Sequence, residues 1–85
     1  MMKKKTQEHL IALLENEISI KRGVIKDRER HEKLCEANLK IDPDWYNKNH
    51  DDTYEDYMTW SNNKKKELKK QIREIEEMID EIIWE

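Results

Sequence analysis

Ile41-Asp42-Pro43-Asp44-Trp45-Tyr46-Asn47-Lys48-Asn49-His50-Asp51-Asp52 separates two long helix-forming segments, and its reading decides the fold. Pro43 is the one proline of the chain and Gly23 its one glycine. A residue ahead of proline is pushed out of the α region, so a helix arriving from the N-terminal side stops at Asp42. Asp42 can also cap a short new turn with Pro43 at its first position. Asn47 to Asp52 is polar and turn-rich. Asp52 and Glu55 stand at capping-box spacing, with Asp in place of Ser or Thr. A second helix is therefore expected from about residue 53.

Working outward, apolar residues on the N-terminal side recur at Leu10, Ile11, Leu14, Ile18 and Ile25, the helical period. Leu13, Ile20 and Val24 broaden that stripe. Thr6 is a fair N-cap, so the first helix is expected over about 6–41, with Gly23 marking a bend. On the C-terminal side, Met58, Lys65, Ile72, Ile79 and Tyr54, Ser61, Leu68, Ile75, Ile82 form two heptad rows to about residue 84. The turn takes 42–52, and residues 1–85 make one domain.

Two helices joined by about ten residues lie antiparallel by default. Matching residue 40 to residue 53 makes facing positions sum to about 93. Ile25 then faces Leu68, Ile18 faces Ile75, Leu14 faces Ile79 and Ile11 faces Ile82. Cys35 and Leu39 face Met58 and Tyr54. The polar run Lys26–Lys33 faces Asn62–Glu67, so both stripes break at one level. The expected fold is all-α: a long antiparallel, coiled-coil-like hairpin with two apolar cores and a polar waist. Leu68, Ile72, Ile75, Ile79 and Ile82 are expected to form an oligomer seam, completing a dimeric four-helix bundle or a higher homo-oligomer.

Composition agrees. The chain has 85 residues, of which 44% are charged, and its net charge is −3. Ile, Leu and Val number 17, which is little for a core, so a copy or partner is expected to complete it. One cysteine, Cys35, excludes an internal disulfide and fits a reducing, cytoplasmic setting. Apolar runs are too short for a membrane span. Lys, Ile and Asn total 29 residues, the bias of AT-rich genomes.

Three constellations are candidates for function. The first is the acidic aromatic turn: Asp44, Trp45, Tyr46, Asp51, Asp52, Glu55, Asp56 and Trp60. Aromatics dominate binding hot spots, and closely spaced acids suit a basic groove on a partner. A competing reading makes Tyr54, Tyr57 and Met58 the closure of the distal core and the acids caps. The second is basic: Lys64, Lys65, Lys66, Lys69, Lys70 and Arg73 form a stretch that can grip phosphates, with Arg28, Lys64, Lys65 and Lys69 as an anion site at the waist. Its bland reading is a solvated face paired with Asp27, Glu29 and Glu32. Nucleic acid is disfavoured there, because aromatics are not interleaved with the lysines. The third is chemical, and it is poor. His50, Asp51, Asp52 and Glu55 match no metal-loop spacing, and His31-Glu32 lacks a second His. Cys35 has no activating motif, so no catalytic residue, metal or cofactor is expected.

Asp42-Pro43-Asp44-Trp45, followed by Tyr57-Met58, resembles the turn and second helix of phage helical-hairpin sponge proteins. Thr6-Gln7-Glu8 before the first helix is similar as well. The resemblance implies an oligomer that blocks CBASS or Thoeris immunity by sequestering a signalling nucleotide. Asp44 stands where that family carries a basic residue, and no ligand residue is carried over. The expected function is non-enzymatic: a phage or mobile-element protein that inhibits a host defence protein through the turn region. Nucleotide sequestration and nucleic-acid binding are the alternatives.

The register makes Ile75 a test position. Ile75→Asp sets an unpaired charge in the seam and should cost about 3 kcal/mol or more. A thermal melt followed by circular dichroism should show the loss. A melting temperature equal to wild type would contradict the register.

Overall fold

The computed structural model describes residues 3–84, which form three helices in a rod of 60 × 17 × 16 Å. Helix α1 spans Lys4–Ile41, α2 spans Trp45–Asn49 and α3 spans Tyr54–Ile83. No strand occurs among the described residues. The long hairpin read from the sequence is the observed architecture.

Helix α1 begins two residues ahead of the expected Thr6. Lys3 takes the N-cap position without a side-chain cap, and its carbonyl accepts the Gln7 N–H at 2.9 Å. Lys4 and Lys5 are good helix formers, so nothing delays the start until Thr6. Gly23 does not interrupt α1, which runs unbroken to Ile41.

The corner is tighter than a polar loop. Asp42 leaves the helix in an extended conformation, as a residue ahead of proline must. Its carboxylate accepts the Asp44 N–H at 3.1 Å and the Lys48 ammonium at 2.9 Å. Those two bonds hold the Asp42 carboxyl below its usual range. Trp45 to Asn49 then coil into α2, a helix that the polar residues there obscured.

The second long helix is capped by Thr53 rather than Asp52. Thr53 Oγ1 accepts the Asp56 N–H at 3.1 Å. Asp52 is occupied elsewhere, accepting the Tyr46 hydroxyl at 2.9 Å. Glu55 and Asp56 sit in the first turn, where their charge suits the helix dipole.

Two cores fill the hairpin. Ile18, Ile25, Ile72 and Ile75 form the one toward the chain ends, with Leu14, Leu68 and Ile79 packed against it. Cys35, Tyr46 and Tyr57 form the other, closed by Leu39, Trp45, Tyr54 and Met58. Between them sits a polar waist. Glu32 and Ser61 are both buried there, and Ser61 Oγ donates to Glu32 Oε1 at 2.7 Å. Residues 32 and 61 sum to 93, the expected register.

The residues of the expected oligomer seam are already covered, wholly or in part, within one chain. Ile72 and Ile75 are buried, and Leu68, Ile79 and Ile82 partly buried, within one chain. Ile72 and Ile75, with Leu68 and Ile79, pack in the core that joins α3 to its own α1. The large apolar residues left exposed are others, among them Leu13, Ile20, Leu34 and Met78.

Gly23 is exposed mid-helix, and a Cβ added there would meet nothing within 4 Å. Glycine costs a helix interior about 0.5–1 kcal/mol relative to alanine. Gly23→Ala should therefore stabilise the fold by about that amount and raise the melting temperature by roughly 4–8 °C per kcal/mol. A lowered melting temperature would show that the site needs glycine.

Candidate functional site

A groove lies along one flank of the hairpin. It measures about 790 Å³, and Arg22, Lys26 and Glu29 line it from α1. Asn62, Lys65, Lys66, Lys69 and Arg73 line it from α3, with Ile25 and Ile72 at its floor. The α1 residues recur at intervals of four and three, so they share one flank. Asn62, Lys66, Lys69 and Arg73 do the same on α3.

Six cations thus converge on one groove that holds a single carboxylate, Glu29. Two of the six are engaged. Arg22 lies 3.3 Å from Glu76, and Lys65 donates to Glu32 at 2.9 Å. Lys26, Lys66, Lys69 and Arg73 form no ion pair among the described residues.

Glu32 anchors Lys65 from below. Burial raises the Glu32 pKa, but bonds from Ser61 and Lys65 and the charges of Lys65 and Arg28 outweigh it, leaving it lowered. Asp27, also expected to face the basic stretch, instead lies 3.8 Å from Arg30 on its own helix.

The opposite flank carries a smaller groove of about 410 Å³ lined by Val24, Arg28, Trp60, Lys64, Glu67, Leu68 and Gln71. The Arg28 guanidinium lies 5.1 Å from the Trp60 ring centre. The four anion-site candidates read from sequence therefore divide. Lys65 and Lys69 enter the basic groove, while Arg28 and Lys64 face away from it. Lys66 and Arg73 belong to the basic stretch read from sequence, whereas Arg22 and Lys26 of α1 were missed. The signal for those two was present in their four-residue spacing, combined with the hairpin register.

The acidic aromatic turn is not one surface. Tyr46 is 3% exposed and belongs to the distal core. Its ring stacks on His50 at 4.0 Å and meets Tyr54 edge-on at 5.6 Å. Burial, reinforced by the Asp52 carboxylate, pushes its phenol up to about 12. Trp45 is half-buried against the same core, and Asp52 is spent on Tyr46. Asp44, Asp51, Glu55 and Asp56 stay exposed. Trp60 is 48% exposed but belongs to the second flank. Tyr57, a core residue, is 2.5 Å from His31 Nδ1 through its hydroxyl. Cys35 is 1% exposed, and burial followed by the Glu32 charge pushes its thiol up. Such a thiol is a packing group rather than a nucleophile.

No protein-family model matches the chain, and no curated protein or solved structure matches it either. No helix among the described residues is long and apolar enough to cross a membrane.

Glu32 gives the waist a pH signature. Its folded pKa lies below the ordinary value of 4.5, so its stabilising contribution is complete above that value. It is lost as pH falls through the lowered value. Melting temperatures of wild type and Glu32→Gln across a pH series should diverge above pH 4.5 and converge in acid. A gap that stays constant across the series would contradict this account.

Proposed function

We propose that this chain is a non-enzymatic binding protein that holds a compact, phosphate-bearing ligand in the basic groove. The observation that carries the reading is the convergence of Lys26, Lys66, Lys69 and Arg73, free of ion pairs among the described residues, beside Arg22 and Lys65. Lys and Arg pair readily with phosphate oxygens, arginine in a two-pronged way.

Two features favour a small ligand over a long polyanion. Lys65 to Arg73 spans roughly 12 Å of helix, and a groove of this volume suits a molecule rather than a duplex. The stretch is also closed off by charge. Glu74, Glu76, Glu77, Asp80 and Glu81 follow it on α3, and the acids of the turn region precede it. A nucleic-acid backbone continuing past either end would meet carboxylates. Ile25 and Ile72 offer an apolar floor, and Glu29 and Asn62 offer polar atoms to a base or sugar. A signalling nucleotide is the ligand class that the resemblance of the turn also implies, and sequestering it needs no catalytic group.

The exposed acids Asp44, Asp51, Glu55 and Asp56 favour a second reading, in which the tip docks on a basic surface of a host protein. Tyr46, buried in the distal core, takes no part in such a surface.

Titration calorimetry at low salt separates these readings. Cyclic dinucleotides, nucleoside triphosphates, tripolyphosphate and a short duplex DNA serve as probes. Wild type should bind at least one small phosphate compound more tightly than the duplex. Lys66→Glu and Lys69→Glu should each weaken it by about tenfold or more, because like charges then face the phosphates. Asp51→Lys with Asp56→Lys should leave it unchanged. Failure of every small probe to bind, or equal binding by the groove variants, would overturn the reading.

A further inference from the structure

The basic groove differs from one end to the other. Residues level with each other on the two long helices sum to about 93, as the bonded pair Glu32 and Ser61 does. Glu29 is thus level with residue 64, beside Asn62, at the corner end of the groove. Lys26 is level with residue 67, beside Lys66. Lys69 and Arg73 follow toward the chain ends, at intervals of three and four residues. Beyond them Glu76 holds Arg22 at 3.3 Å, and the row of cations stops. One end therefore carries a carboxylate and an amide, and the rest carries positive charge.

Glu29 is the groove residue that phosphate binding alone leaves without a role. It is exposed, it is the one carboxylate lining the groove, and it follows Lys26 by one turn of α1. It forms no ion pair among the described residues. A carboxylate there repels any ligand that is phosphate only. It becomes favourable with a ligand that also brings N–H donors. Asn62 beside it adds an amide, which donates through nitrogen and accepts through oxygen.

Building on the phosphate-binding reading of the groove, we propose that it selects a linear guanine nucleotide with two or more phosphates in a row. Guanine carries two adjacent donors on one edge, N1–H and the 2-amino group, next to the O6 acceptor. The two donors suit the two oxygens of Glu29, and O6 suits the Asn62 amide N–H. Adenine has one donor and one acceptor on that edge, so its ring nitrogen would meet a carboxylate. The phosphates then run along Lys66, Lys26, Lys69 and Arg73, whose levels spread over roughly 10 Å of helix. A chain of phosphates fills that row, and a single phosphate meets only part of it. Groups that can read a base stand at one end only. A cyclic dinucleotide, with a base on either side of its phosphates, would leave its second base unread.

Titration calorimetry with GTP, ITP, ATP and tripolyphosphate tests the assignment. Wild type should bind GTP about tenfold or more tighter than ATP, with ITP, which lacks the 2-amino group, between them. Glu29→Gln should weaken GTP binding by about tenfold or more. The same variant should hold tripolyphosphate at least as tightly as wild type, because a repelling charge has gone. A residue that only supported the fold would weaken both ligands together. Glu29 is exposed, and circular dichroism checks that the variant stays helical. Asn62→Ala should narrow the gap between GTP and ATP. Equal binding of GTP and ATP by wild type would overturn the guanine assignment, and so would a Glu29→Gln protein that keeps its preference for GTP. In either case, tripolyphosphate binding that Lys66→Glu removes would leave the phosphate reading of the groove standing. Failure of all four probes to bind would overturn both.

Discussion

Everything in this hairpin is referred to one buried carboxylate. Glu32 lies between the two apolar cores, and its two oxygens take the Ser61 hydroxyl and the Lys65 ammonium. A buried charge missing its partners is expensive, so sliding α3 along α1 exacts that cost at the waist. Apolar contacts alone discriminate poorly among registers, because one isoleucine packs much like another. The waist thereby adds the specificity that a repeating seam lacks. It also fixes the sides of the rod. With Lys65 tied down, Lys66, Lys69 and Arg73 emerge on one flank, and Lys64 on the other.

Much of this was legible in the chain and some was not, for physical reasons. The hairpin, its antiparallel register and the two cores follow from spacing, because both stripes break at one level. The short helix Trp45–Asn49 was hidden, because three of its five residues are polar and its two aromatics turn toward the core. Asp52 matched a capping pattern but bonds Tyr46 instead, a contact no local pattern announces. The most telling difference concerns the aromatics. Residues that dominate interfaces also dominate cores, and composition cannot separate the two uses. Tyr46 and Tyr57 turned inward because a two-helix layer has too few aliphatics at that end to close itself.

The candidate site shows the same logic from the other side. Lysines read in sequence order mixed two flanks. Once the register is imposed, the basic residues sort by side, and Arg22 and Lys26 of α1 join the groove. Acidic blocks flank that stretch on α3, so the positive field is short along the rod.

The single corner has a consequence for how the chain closes. Contacts near Pro43 join residues close in sequence, while those near the free ends join residues some seventy positions apart, such as Gln7 and Ile82. Loop-closure entropy grows with that separation, so pairing proceeds from the corner outward, and the ends close last. The basic groove straddles α1 and α3 on the open-ended side of the waist. A molecule bridging its two walls is a clasp placed past the hinge of a pair of tongs. It holds shut the half that the corner holds least.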